Sequence, residues 1–89
     1  MTKDEIFTAV QDIFRTVFDD DSIALTREMT ADDIEDWDSL EQINLLVAIE
    51  KRFNIKFQLA DVKDLPNVGA MQALLREKKF VQEIKRRGL

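Results

Sequence analysis

Ile6, Val10, Ile13 and Val17 recur at helical spacing, with Phe7, Phe14 and Phe18 beside them. Asp4, Gln11, Asp12 and Arg15 fill the intervening polar positions. Apolar residues three and four apart share one helix face, so this pattern predicts a first helix over residues 3–18. Asp19, Asp20 and Asp21 follow. Acids at a helix C-terminus oppose its dipole, which predicts the stop.

Residues 22–38 carry no sustained period and form a long loop for so short a chain. Loops of this length are usually functional or hold local structure. Ile23, Leu25, Met29 and Ile34 are placed to pin it, and Thr30 followed by Asp33 is suited to cap one short turn. A second helix is predicted over residues 39–53 from Leu40, Ile43, Leu46, Val47 and Phe53. Leu45, Ala48 and Ile49 widen its apolar face, so burial on more than one side is expected. Residues 54–57 are too few for a helix and have an extended pattern. Leu59, Val62 and Leu65 suggest one short third helix, ended by Pro66. Asn67 is a candidate N-cap for a fourth. Val68, Met71, Leu74 and Leu75 would face the core there, and the pattern runs on through Phe80, Val81 and Ile84. The fold class that follows is all-α: a four-helix bundle with three longer helices and one short third helix, in one domain over residues 1–89.

Composition narrows the chemistry. The 89 residues include no cysteine and no histidine. Disulfides, cysteine metal sites and Ser-His or Cys-His catalysis are excluded. No carboxylate pair stands out from the acidic run, so no catalytic residue and no metal site is expected. Two glycines and one proline leave little material for the turns of an all-β fold. The net charge of −5 argues against nucleic-acid binding and for partners with basic surfaces. No apolar run is long enough to span a membrane. The N-terminus lacks the basic-then-apolar layout of a secretory signal, so cytoplasmic residence is the default expectation. Charge is also uneven. Residues 19–41 hold ten acids and one base, Arg27, whereas residues 76–87 hold six bases and two acids.

One short motif stands at the junction of acidic loop and second helix: Trp37, Asp38, Ser39, Leu40. Taken by residue type, Ser39 and Gln42 match a capping box, worth about 0.5–2 kcal/mol. Taken with the layout of the whole chain, the motif resembles the attachment site of the acyl carrier protein family. The resemblance extends over Ile43, Leu45, Leu46, Ala48, Ile49 and Glu50, then residues 53–57, and ends in Val68 with the fourth helix.

The resemblance implies a carrier and not an enzyme. Ser39, flanked by Asp38 and Leu40, would bear a covalent 4′-phosphopantetheine arm from coenzyme A, holding acyl or aminoacyl groups as thioesters. The imported thiol is consistent with a chain that lacks cysteine. A phosphopantetheinyl transferase would attach the arm; acyl-loading and acyl-processing enzymes with basic docking surfaces would be the other partners, meeting a monomer. Asp36, Trp37, Asp38, Glu41 and Glu50 would form the docking face. Ile43, Leu46, Val47, Ile55, Phe57 and Val62 would line an acyl pocket. Glu35, Asp36 and Trp37 stand where many fatty-acid carriers have a glycine, and the basic C-terminal stretch is longer than usual. Both departures imply a specialised carrier serving a lipid, polyketide or related pathway. The reading from another class is a small helical module that binds basic partners non-covalently through its acidic face.

Overall fold

The computed structural model describes residues 2–62 and 65–86, and its elements begin with α1, Lys3–Val17. Thr2 caps α1 in a reciprocal box with Glu5: the Thr2 hydroxyl accepts from the Glu5 N–H, and the Glu5 carboxylate accepts from the Thr2 N–H. The Thr2 N–H, followed by the Thr2 side chain, holds the Glu5 carboxyl below its usual pKa. The helix stops where Asp19 takes a left-handed backbone with φ 49° and the Asp20 N–H bonds back to the Arg15 carbonyl. Thus a local turn ends it, beside acids that already disfavour continuation.

α2 spans Ser39–Phe53 and ends at Asn54, also left-handed at φ 54°. α3 is one turn, Leu59–Val62, and α4 runs Val68–Arg86. The Asn67 side chain accepts from the Ala70 N–H, in the capping role its position suggested. These are the four α-helices among the described residues, where no strand occurs. The third helix is shorter than the 59–65 pattern suggested, and the end of that pattern adjoins residues 63–64, outside the described set.

One apolar core joins the pieces. Ile6, Val10, Ile13 and Phe14 of α1 meet Leu45, Ile49 and Phe53 of α2 and Val68, Met71 and Leu75 of α4. The loop before α2 is pinned into this core by Ile23 and Leu25, both buried, with Met29 and Ile34 half-buried against it. Polar bonds fix its path. The Arg15 Nε–H donates to the Ile23 carbonyl at 2.8 Å, and the Leu25 N–H to the Gln11 side chain at 2.9 Å. The Val68 and Gly69 N–H groups donate to the Met29 and Arg27 carbonyls at 2.9 and 2.8 Å. Gly69 suits that approach, because a Cβ there would lie 3.1 Å from the Arg27 oxygen. Thr30 and Asp33 cap the expected short turn, a single 3₁₀ turn over Ala31–Asp33.

Two expectations require correction. α2 is buried on one face only: Leu45, Ile49 and Phe53 are inside, while Leu40, Ile43 and Val47 are 64%, 57% and 40% exposed. The bundle supplies α1 against one side of α2 but leaves its second stripe uncovered. On α4, Phe80 and Val81 continue the apolar period yet stand exposed. They lie on the side of α4 away from Val68, Met71 and Leu75, while the neighbouring Lys79 and Gln82 still bond the end of α2.

Candidate functional site

Ser39 is the first residue of α2 and is exposed. It is not the cap. The Asp38 side chain accepts from the Glu41 N–H at 2.8 Å, and the Asp38 carbonyl accepts from the Gln42 N–H at 2.9 Å. The capping box that Ser39 and Gln42 match by residue type does not form; Asp38, one residue earlier, takes the cap. A carboxylate at this cap satisfies a donor and faces the positive end of the dipole. Asp38 thus does the structural work that would otherwise engage the Ser39 hydroxyl.

Gln42, freed from the cap, has another partner. Its side-chain oxygen accepts from the Trp37 indole N–H at 2.6 Å. The Trp37 ring packs edge-on against Phe14, centroids 5.1 Å apart at 83°, and lies 6.4 Å from Phe18. The residue before the cap is thereby tied to both α1 and α2. This positioning role of Gln42 was hidden in the sequence by its equally good match to a capping box.

Beside Ser39 opens a cleft of about 680 Å³. Ser39, Trp37, Gln42 and Ile43 form the wall from the start of α2, and Thr30, Ala31 and Asp32 the wall from the loop. Val62, Leu65, Pro66, Asn67 and Met71 close the side nearest α3 and α4. Its size is that of an ordinary small-molecule site. Apolar Ile43, Val62, Leu65 and Met71 alternate with polar Thr30, Asp32 and Asn67, the mixture needed by a flexible chain of amides and methylenes. The residues present fit a phosphopantetheine arm: an unhindered hydroxyl, a helix start that favours phosphate, and an adjoining amphipathic cleft.

Of the six suggested pocket residues, Ile43 and Val62 line this cleft and the other four do not. Ile55 is buried in the core, and Phe57 is half-buried against it. Leu46 is half-buried and Val47 exposed, farther along α2. Among the docking candidates, Asp36 and Asp38 are exposed and Glu41 half-buried around the start of α2. Trp37 is half-buried in the aromatic cluster. Glu50 lies more than two turns away, where its carboxylate accepts from the Phe57 N–H at 2.8 Å and holds the turn after α2. Leu40 projects into solvent next to Ser39.

α3, which contributes Val62 to the cleft, is latched to α4. The Lys78 ammonium pairs with Asp61 at 2.7 Å, and that hydrogen bond, with one from the Gln58 N–H, holds the Asp61 carboxyl below its usual pKa. Among the described residues no group of acids is arranged to hold a metal ion, and no helix is long and apolar enough to cross a membrane.

Comparison with known proteins agrees with this geometry. Residues 8–75 match the model of a family described as a phosphopantetheine attachment site. The chain is 32% identical over 78 residues to the acyl carrier protein of Petrotoga mobilis, covering 88% of this chain and 92% of that one. Its fold superposes with TM-score 0.80 on the solution structure of a holo acyl carrier protein from Geobacter metallireducens, at 46% identity and 88% coverage of each chain.

Proposed function

Because the chain belongs to the acyl carrier protein family, we propose that Ser39 is its attachment point for 4′-phosphopantetheine and that it delivers acyl intermediates to the enzymes of a dedicated biosynthetic pathway. Members of the family are carriers, not catalysts, and their covalent cofactor is 4′-phosphopantetheine. The observation that carries the assignment to Ser39 is its exposure at the rim of the cleft, with the neighbouring Asp38 serving as cap. When bound, the arm supplies a terminal thiol that holds acyl groups as thioesters.

The chain's own residues do three things. Asp38, as the cap, leaves the Ser39 hydroxyl free, and the remaining N–H groups and dipole of the first turn of α2 favour a phosphate beside it. Trp37 and Gln42 hold that turn in place. Ile43, Val62, Leu65 and Met71 offer an apolar wall to cargo, with a gain of about 0.8 kcal/mol for each CH₂ removed from water. The base that deprotonates Ser39 belongs to the transferase.

Intact mass after incubation with coenzyme A and a phosphopantetheinyl transferase tests the function. A carrier gains one phosphopantetheinyl increment. A chain that gains none, yet binds basic proteins, is a non-covalent interaction module.

The acidic face around Ser39 is the docking surface in this reading, supported by the ten acids against one base over residues 19–41. Asp36→Lys and Glu41→Lys are cleaner probes than Asp38→Lys, which would also remove the cap. Each should slow modification several-fold at low salt, and the difference from wild type should shrink as salt rises, since exposed charges act over a Debye length of about 8–10 Å at physiological salt. Equal rates across a salt series would mean the acids merely solvate the loop. A specialised rather than housekeeping role is supported by Glu35, Asp36 and Trp37 before the motif and by the basic α4. Cytoplasmic residence and a monomeric state complete the proposal.

A further inference from the structure

α4 carries a second apolar face that the bundle leaves uncovered. Its core face is Val68, Met71 and Leu75. Phe80, Val81 and Ile84 lie on the other side of the helix, Phe80 63% and Val81 41% exposed. Cations flank this ridge. Lys56, Lys78 and Lys85 surround a shallow groove beside Val81 that has no acid in its lining. On the opposite flank Phe80 adjoins Arg76, together with Glu77 and Glu83. Lys78 is paired with Asp61, which leaves Lys56 and Lys85 as the groove's outward charges. Within a chain of net charge −5, this is a local basic surface with an aromatic residue at its crest.

Its position is at the far end from Ser39. The groove includes Asn54, Ile55 and Lys56, just past the C-terminus of the 15-residue α2. A helix of that length separates its two ends by about 22 Å. That is more than two Debye lengths at physiological salt, so the acidic pole does little to cancel attraction at the basic one.

We propose that this face of α4 docks on an anionic lipid surface, with Phe80 and Val81 entering the interfacial region and Lys56, Lys85 and Arg76 meeting acidic headgroups. Three points favour this occupant. A second copy of the chain would bring the cations Lys56 and Lys85 against the same cations across the groove. Phe80 is largely exposed at the crest of the ridge, so it suits a soft interface that needs no matching shape. A flanked apolar ridge on a basic helix is the pattern of interfacial binding. Docking there would point the acidic pole and Ser39 away from the bilayer, leaving both open to partner enzymes. The proposal does not depend on which residue bears the arm.

The test is flotation of the full-length chain with vesicles of phosphatidylcholine alone or mixed with phosphatidylglycerol, at low and high salt. The expected result is flotation with the mixed vesicles only, lost at high salt. Lys85→Gln should weaken it about fivefold, the effect of one cation near such a surface. Phe80→Ser should weaken it several-fold more. Circular dichroism and the rate of modification by a transferase should match wild type in both variants, since neither residue lies in the core or beside Ser39. No flotation with the anionic vesicles at low salt overturns the proposal, as does flotation that both variants retain. Capture by a soluble acidic protein without any vesicle binding would also overturn it.

Discussion

Ser39→Ala is expected to abolish phosphopantetheinylation completely while leaving the fold in place. The hydroxyl is the only group the substitution removes. Ser39 is exposed, and the cap it adjoins belongs to Asp38. Loss of a first-turn serine that is not the cap should cost well under the ~1 kcal/mol of a true N-cap. Alanine is also the better helix former, which offsets part of that cost. The variant should therefore match wild type in its circular dichroism and its urea midpoint, yet show no mass increment at any transferase concentration. The alternative acceptor of the same type, Ser22, already donates its hydroxyl to the Asp20 carboxylate in the loop after α1. A Ser39→Ala chain that still gains the increment would move the attachment elsewhere.

The largest effect on stability is expected from Phe14→Ala. Phe14 is fully buried and is the hinge of the aromatic cluster, with Phe18 at 6.0 Å and Trp37 at 5.1 Å. Truncating a buried phenylalanine costs about 3–5 kcal/mol through lost transfer energy and the cavity left behind. An 89-residue domain at the usual stability per residue has roughly 4–13 kcal/mol in total. The substitution therefore consumes a large part of it. Trp37, the sole tryptophan, reports the change directly: its emission should shift to the red and the urea midpoint should fall sharply. Modification of Ser39 should slow as well, because Trp37 positions the turn that presents it. A loss below about 1 kcal/mol would mean that the cluster adds little to the core.

How far the sequence reveals this protein differs from one element to the next. The helices are legible wherever an apolar period has a partner to bury it, as in Ile6, Val10 and Ile13. The same period misleads where no partner exists. Leu40, Ile43 and Val47 on α2, and Phe80 and Val81 on α4, carry a core-like pattern but face solvent. Periodicity records which residues share a face; it does not record what covers that face. Ser39 stood out as a candidate because Asp-Ser-Leu falls at a helix start within the layout of the whole chain. The identity of the cap was not legible, since Asp38 and Ser39 are adjacent good cappers and the choice depends on the register with which the loop enters α2. The cleft was least legible. Its walls come from the 3₁₀ turn, α2 and the start of α4, and they are brought together by bonds such as Val68 N–H to the Met29 carbonyl, between residues far apart in the chain.

That cleft gives the exposure of Ile43 a physical explanation. In the proposed role, uncovered apolar surface near the attachment point is open to cargo and partner enzymes in turn. A bundle that buried Ile43 fully would be more stable and less able to accept cargo.

The most direct measurement is peptide-level mass spectrometry of the wild-type chain after treatment with coenzyme A and a transferase. The account predicts a single phosphopantetheinyl group per chain, located on Ser39 within the peptide that contains Trp37 and Leu40. A second group, a group on Ser22, or an unmodified chain under conditions that fully modify another acyl carrier protein would contradict it.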